Sequence, residues 1–475
     1  MIVAAFAVAM LLFFPFRFKF EFNPDEGIQL IKALLYANGH ALQTEIFSDQ
    51  PPLFTIFLAQ LFKLLGPKVL VARLSVLAFS CLLLTSCALY LKIFHGQTHY
   101  LIALLLLITL PLFPQLSVSA MIGLPAICLA TVSLLALGLW HRSGKTSWLL
   151  LSSLALALSM FTKAFTVILV PVFAAAILLS PSMSRLDGRS AIRRWVSVAV
   201  WLGILVGTLV GLLLAFIGPG NWYQLVGVHI EARRATYEFE GMYVGTILAS
   251  TWPLLALALA GGWLSVFRRS WSGMCLMGWF LLGIIALLVN RPAWWHQHIL
   301  ATIPGAMLAA VAIAESIAYL RRPRMLHTPL GWRGALSLLA LLLAAGYLAV
   351  RIPGHLEGFK PKLPNLIDDV ELTNRAYGVL AAMAKFDPEG GVIVTDSPMF
   401  AFRSRREIPP ELAVFSDKRL STGWLTEDQV IAAIRDRQPR LVLLARFNLP
   451  KVRAYVQDRY RLVVSYYPFR LFLRE

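Results

Sequence analysis

The sequence predicts a polytopic α-helical membrane protein of about eleven spans with a small C-terminal α/β domain outside the membrane. Three observations carry that reading. Apolar runs such as 100–111, 148–161 and 335–350 recur through residues 1–352, and many extend towards the ~20 residues that a helix needs to cross a bilayer. Short basic clusters separate them. After residue 353 the charge density rises and the long apolar runs stop. With 58% hydrophobic and 14% charged residues, an ordinary soluble enzyme is excluded. The runs lack the alternation of a membrane barrel, which leaves helices to satisfy the backbone in lipid.

The elements follow in order. Residues 1–16 are apolar without a basic leader; they read as a short first span, with a cleaved signal peptide as the alternative. An outer loop, 17–70, contains two amphipathic stretches, 24–38 and 52–65, each short for a span and each opened by proline, as juxtamembrane helices are. Spans are expected near 71–93, 99–116, 119–140, 148–162, 165–180 and 195–217. A second outer loop, 218–245, comes next, then spans near 246–266, 271–289, 297–320 and 335–351. Basic residues at 141–145, 185–194, 268–269 and 321–333 all fall on one side, the positive-inside pattern. In residues 353–475, strands are expected at 391–396 and 440–445, a helix at 426–437 capped by Thr426, and a hairpin from 460–465 to 469–473.

Charge placement identifies the partners. Residues 1–352 hold 24 of the 43 Lys+Arg but 10 of the 25 acids, and so supply +14 of the +18 net charge. Membrane headgroups are the natural partner of loop clusters of this kind. Nucleic acid is not, since no recognition module accompanies the charge. The four cysteines lie in apolar runs without metal spacing and read as reduced packing residues.

Eight of those ten acids occupy the two outer loops: Glu21, Asp25, Glu26, Glu45 and Asp49 in the first, and Glu231, Glu238 and Glu240 in the second. Outer loops are polar by default, but Asn23-Pro24-Asp25-Glu26-Gly27 sets adjacent acids at a helix start, where the dipole favours anions. A carboxylate there can act as a general base or hold a divalent cation. Asp49-Gln50-Pro51-Pro52 fixes an extended approach to the next helix, which is also what an ordinary turn into a helix would do. Asp187 lies inside, and Glu315, within a late span, reads as a buried polar contact.

These residues carry a resemblance. An apolar span, Asp25-Glu26-Gly27, Tyr36-Ala-Asn-Gly39, Asp49-Gln-Pro-Pro-Leu53 and Ala72-Arg-Leu74, in that order, resembles the GT-C glycosyltransferases, in the branch of the protein O-mannosyltransferases and the lipid A aminoarabinose transferases. Phe161-Thr-Lys163, the segment Trp295–Pro304, Val394-Thr-Asp396 and Pro409-Pro-Glu-Leu412 extend the match over essentially the whole chain. The resemblance implies a GT-C fold and a sugar donor on a polyprenyl phosphate. It implies an acceptor lipid, glycan or protein at the outer face of a bacterial-type inner membrane, and a single inverting displacement. Domain 1–352 is then catalytic and 353–475 an extracytoplasmic domain without chemistry of its own.

By that resemblance Asp25 is the base, with Glu26 its helper or a cation ligand; no cofactor other than a divalent cation on Asp25 and Glu26 is implied. The leaving phosphate needs cations more than an acid. Lys163, Arg233, Arg234 and Arg291 are candidates, with Asp49, Gln50, His296 and His298 as further substrate contacts. Each has a plainer reading. Arg233 and Arg234 could pair with nearby glutamates, Lys163 could snorkel to headgroups, and Arg291 could bind lipid non-specifically. His296 and His298, two apart, point to different faces of a regular helix. Gln50 stands where aminoarabinose transferases carry a lysine, which points away from that donor sugar. Asp396 reads as a strand-end cap. The competing classes are a transporter or flippase for a lipid-linked substrate, which would favour inverted repeats and mid-span charges, and a different membrane oligosaccharide ligase or polymerase.

Overall fold

The computed structural model describes residues 1–180, 189–218, 221–234, 242–290, 293–322, 331–359 and 367–475. The membrane body begins with α1 (Ile2–Phe13), α2 (Pro24–Ala37), α3 (Leu53–Leu65), α4 (Val69–Phe94), α5 (Gln97–Ile108), the single turn α6 (Phe113–Leu116), α7 (Gly123–Ser143) and α8 (Thr146–Thr162). It continues with α9 (Leu169–Leu178), α10 (Arg189–Phe216), α11 (Trp222–Ala232), α12 (Met242–Ser250), α13 (Trp252–Phe267), α14 (Trp271–Val289), α15 (Ile299–Leu320) and α16 (Trp332–Phe359).

Each of the eleven expected apolar stretches is helical. Among the described residues six helices are long and apolar enough to span a membrane, and α12 with α13 adds a seventh, bent by 71° at residue 251. The expected span 99–116 stops at Ile108, because Pro111 and Pro114 remove backbone donors. Residues 109–122 instead fold back over the first loop. α16 runs past the expected boundary at 352 to Phe359, carrying Pro353 inside it.

Helix α15 is buried along almost its whole length and forms the centre of the bundle. Gly261 lets α13 approach it closely; a Cβ there would lie 1.9 Å from the Leu308 carbonyl oxygen. By contrast, α10 and α16 expose Val206, Leu214, Leu339 and Leu342, as lipid-facing helices do. Arg268 pairs with Glu315 at 2.7 Å; Glu315 is a polar contact as expected, but half-buried rather than buried.

The C-terminal domain comprises α17 (Ile367–Phe386), β1 (Ile393–Thr395), α18 (Pro398–Ser404), α19 (Asp417–Ser421), α20 (Glu427–Arg437), β2 (Leu441–Leu444), α21 (Pro450–Arg459), β3 (Arg461–Tyr466) and β4 (Phe469–Leu473). Its sheet has the order β1-β2-β4-β3, with β1 parallel to β2 and the other pairs antiparallel. Thr426 and Gln429 form a capping box on α20. Asp396 accepts from the backbone amides of Ala445, Arg446 and Phe447 at 2.7–2.9 Å, a cap that ties the ends of β1 and β2 together.

This domain sits on the first loop. Arg403 donates to the carbonyls of Lys19 (3.0 Å) and Phe20 (2.6 Å), and Phe400 packs on Phe20 with ring centroids 4.5 Å apart. Helix α2 is consequently covered by α3 and by α18, and most of its residues are buried. The amphipathic pattern anticipated a helix lying at the membrane surface; the C-terminal domain covers it as well, with α18 packed at Gly27.

Candidate functional site

Asn23 caps α2 by accepting from the Asp25 amide at 2.9 Å, and Pro24 occupies the first turn, where its missing N–H is not needed. The two acids that follow diverge. Glu26 is fully buried. Its Oε1 accepts from Arg73 Nε (2.8 Å) and the Ala120 amide (3.2 Å), and its Oε2 from Arg73 Nη2 (2.7 Å) and the Phe22 amide (3.1 Å). Four donors fill the four lone-pair directions of a carboxylate. Arg73 also donates to the carbonyls of Phe16, Lys19 (2.9 Å) and Phe20 (3.4 Å). Glu26 therefore anchors the loop to α4. It has no capacity left to help a base or ligate a cation, which corrects the expectation of an Asp25–Glu26 cation site.

Asp25 is half-buried, and among the described residues its carboxylate accepts no hydrogen bond. Two buried amines accompany it. Lys32, seven residues along the same face of α2, reaches the Ser48 hydroxyl at 3.3 Å. Burial lowers its pKa to about 8, although Asp49 and Asp25 pull the other way. Lys163 lies in the break between α8 and the 3₁₀ turn Ala164–Ile168, with its Nζ 3.8 Å from where a Cβ on Gly123 would sit. Among the described residues that Nζ makes no hydrogen bond or ion pair. Burial lowers its pKa to about 8 as well, and Asp25 is the carboxylate that acts on it most strongly. Lys163 in turn is the charge acting most strongly on His296, whose buried Nδ1 has no partner among the described residues.

The second group centres on Asp49. Lys418 of the C-terminal domain places its ammonium 2.8 Å from Asp49 Oδ2 and 3.4 Å from His229 Nδ1. Gln50 donates to the same Oδ2 at 3.3 Å, and His229 Nε2 lies 2.9 Å from the Asp49 carbonyl. Burial would raise the Asp49 carboxyl, but Lys418, His229 and Lys32 together hold it well below the usual range. Helix α11 is stitched to the same place. Gln224 bonds the Gln43 carbonyl (2.6 Å) and the Ser48 amide (3.1 Å), and Glu231 accepts from Tyr223 (2.9 Å) and from the Trp424 indole. Arg419 lies over the Phe47 ring at 4.2 Å. Asp25, Asp49, Lys32, Lys163 and Lys418 thus form one charge cluster where three segments meet.

Other expected residues lie apart from it. Arg233 and Arg234 are exposed and make no ion pair among the described residues; of the glutamates expected near them, Glu231 turns to Tyr223 and Trp424, and Glu238 and Glu240 fall outside the described residues. Arg291 falls outside the described residues. His298, in the 3₁₀ turn just before α15, bonds the Thr302 hydroxyl of that helix at 3.0 Å. A cavity of about 630 Å³ is lined by Phe14, Phe22, Gln115, Arg351, His355 and Tyr377; neither Asp25 nor Lys163 lines it.

Lys32, Arg73, His229 and Lys418 were not anticipated as site residues. A signal existed for the first two: a lysine seven residues from Asp25 on one helix shares its face, and an arginine inside an apolar helix needs an acid. Neither His229 nor Lys418 carries a local signal.

Residues 49–212 match the family described as dolichyl-phosphate-mannose-protein mannosyltransferase. The fold is similar to that of ArnT from Cupriavidus metallidurans in the apo state, with a TM-score of 0.64 at 15% identity over 99% of this chain and 96% of that one. The same protein bound to undecaprenyl phosphate gives 0.63 at 14% identity, covering 99% and 97%. The oligosaccharyltransferase AglB from Archaeoglobus fulgidus, in complex with an inhibitory peptide and a dolichol-phosphate, gives 0.59 at 12% identity over 94% of this chain and 69% of that one. Comparison with curated proteins finds no match. The fold is thus that of ArnT and AglB, and over residues 49–212 the chain resembles the protein mannosyltransferase family.

Proposed function

We propose that this chain is a membrane glycosyltransferase that moves a hexosyl or pentosyl group from a polyprenyl-phosphate donor to an acceptor hydroxyl or phosphate, on the extracytoplasmic face of a bacterial-type inner membrane. One observation carries the reading. An open carboxylate, Asp25, is the acid acting most strongly on a buried ammonium, Lys163, which lies over the Phe165 ring at 4.9 Å and makes no hydrogen bond or ion pair among the described residues. A buried unpaired charge is costly, and an anionic ligand would neutralise this one. ArnT and AglB, whose folds are similar, have been captured with polyprenyl-type phosphates.

With a hydroxyl acceptor, Asp25 takes the proton as the oxygen attacks the anomeric carbon. The bond from that carbon to the phosphate oxygen breaks on the opposite face, which inverts the configuration. The departing polyprenyl phosphate takes the bonding pair, and Lys163 stabilises the charge that develops there. His296, beside Lys163, contributes a polar contact to the same ligand. Glu26 acts through the loop: with Arg73 it fixes the start of α2, and hence Asp25.

The experiment is transfer by the Asp25→Asn variant in native membranes supplied with donor and acceptor. Transfer is expected to fall at least ~10²-fold, the size of a general-base contribution, with unchanged expression and insertion. Full transfer by this variant would remove Asp25 as the base.

A further inference from the structure

Asp25, Asp49, Lys32, Lys163 and Lys418 act on one another electrostatically from the first loop, the α8 break and α19, with Lys418 in direct contact with Asp49 at 2.8 Å and Lys32 on the neighbouring Ser48 hydroxyl at 3.3 Å. Three ammonium groups against two carboxylates leave the cluster one anion short. Asp49 is already engaged: its Oδ2 takes Lys418 at 2.8 Å and Gln50 at 3.3 Å. An ammonium has three donors, and on Lys418 one goes to Asp49 while another faces His229 Nδ1 at 3.4 Å. The Lys418 side chain is only 14% exposed, so water is a poor substitute for the remaining partner. Asp49 and His229 therefore act as a cradle that aims a cation rather than cancels it.

We infer that the C-terminal domain takes part in donor binding, with Lys418, held by Asp49 and His229, acting as a second ligand of the donor phosphate alongside Lys163. This rests on the proposed function. It assigns a binding role to a domain that the sequence presents as a cover without chemistry. The phosphate of a lipid-linked sugar would bridge the two lysines, one from the membrane body and one from the domain above it. Donor binding would then clamp α19 against the first loop.

The test measures binding of undecaprenyl phosphate and of undecaprenol to the full-length protein in nanodiscs. The two lipids differ only in the anion. For the unaltered protein the phosphate is expected to bind at least ~30-fold more tightly, as charge-assisted contacts worth ~2 kcal/mol imply. Lys418→Gln should cut phosphate binding by at least ~10-fold, the low end for the loss of one such contact, and leave undecaprenol binding unchanged, which also reports that the variant is folded. Gln50→Lys added to Lys418→Gln returns a cation to the same Asp49 oxygen and should restore most of the loss. Unchanged phosphate binding in Lys418→Gln, or equal loss for both lipids, would overturn the inference. Failure of Gln50→Lys to restore binding, with undecaprenol binding intact, would also overturn it. An unaltered protein that does not distinguish phosphate from alcohol would instead bring down the proposed function itself.

Discussion

Glu26 and Asp25 are adjacent acids whose environments separate them completely. The carboxylate of Glu26 is saturated by Arg73 and two backbone amides. Glu26→Gln would leave the Arg73 guanidinium buried against a neutral amide, a change that costs ~3–5 kcal/mol when a buried pair is broken. Its melting temperature in detergent should drop by several degrees, whereas Asp25→Asn should melt like the unaltered protein. A fully stable but inactive Glu26→Gln protein would return Glu26 to the chemistry. Lys163 makes a different kind of prediction. Burial brings its pKa down to about 8, so the ammonium is present below that pH and lost above it. Donor KM should therefore rise as pH passes through about 8. In Lys163→Arg, whose guanidinium stays charged throughout, that limb should shift upwards by at least about one pH unit. A pH profile identical to that of the unaltered protein would mean that Lys163 does not set it.

Helix α2 owes its position to Gly27 as much as to its acids. A Cβ there would come within 2.6 Å of the Met399 backbone nitrogen at the start of α18, and backbone cannot move aside as a long side chain can. Gly27→Ala should cost ~1–3 kcal/mol by overpacking, reduce transfer by at least about tenfold, and make the segment 387–416 easier for protease to cut in sealed vesicles. Equal protease resistance would show that the contact yields without cost. The Asp-Glu-Gly run could be read from sequence as a helix start bearing acids, because Asn23, Pro24 and the spacing are local signals. The role of its glycine could not, because the neighbour that excludes a side chain lies 372 positions away. The strands and α20 were legible for the same reason as the start of α2: alternation, caps and turn residues are written within a few positions. The stop of α5 was visible in Pro111 and Pro114, but the apolar residues around them masked it.

Taken whole, the molecule was readable in its layers and much less so in its site. Hydropathy and the rise in charge after residue 353 separate the apolar helices from the C-terminal domain, since each depends on composition over tens of residues. Asp25 and Lys163 were singled out through motif order, and Asp25 is the carboxylate that acts most strongly on Lys163. Arg233 and Arg234 were expected on the same face from loop charge alone and are exposed, because sidedness assigns a charge to a face and not to a point. Lys418 escaped detection altogether: a lysine on a short helix looks like surface until the fold sets it against Asp49.

That pairing joins positions 369 residues apart, and it has a consequence for how the protein comes into being. The ribosome makes the first loop 369 residues before the lysine that completes it. Until the C-terminal domain has been delivered and folded, Asp49 lacks its ammonium and α2 lacks its cover. A nascent chain would hold the first loop without its finished surroundings, so the proposed site is assembled only once that domain is in place. Quality control of the C-terminal domain would then decide how many inserted copies carry a complete loop.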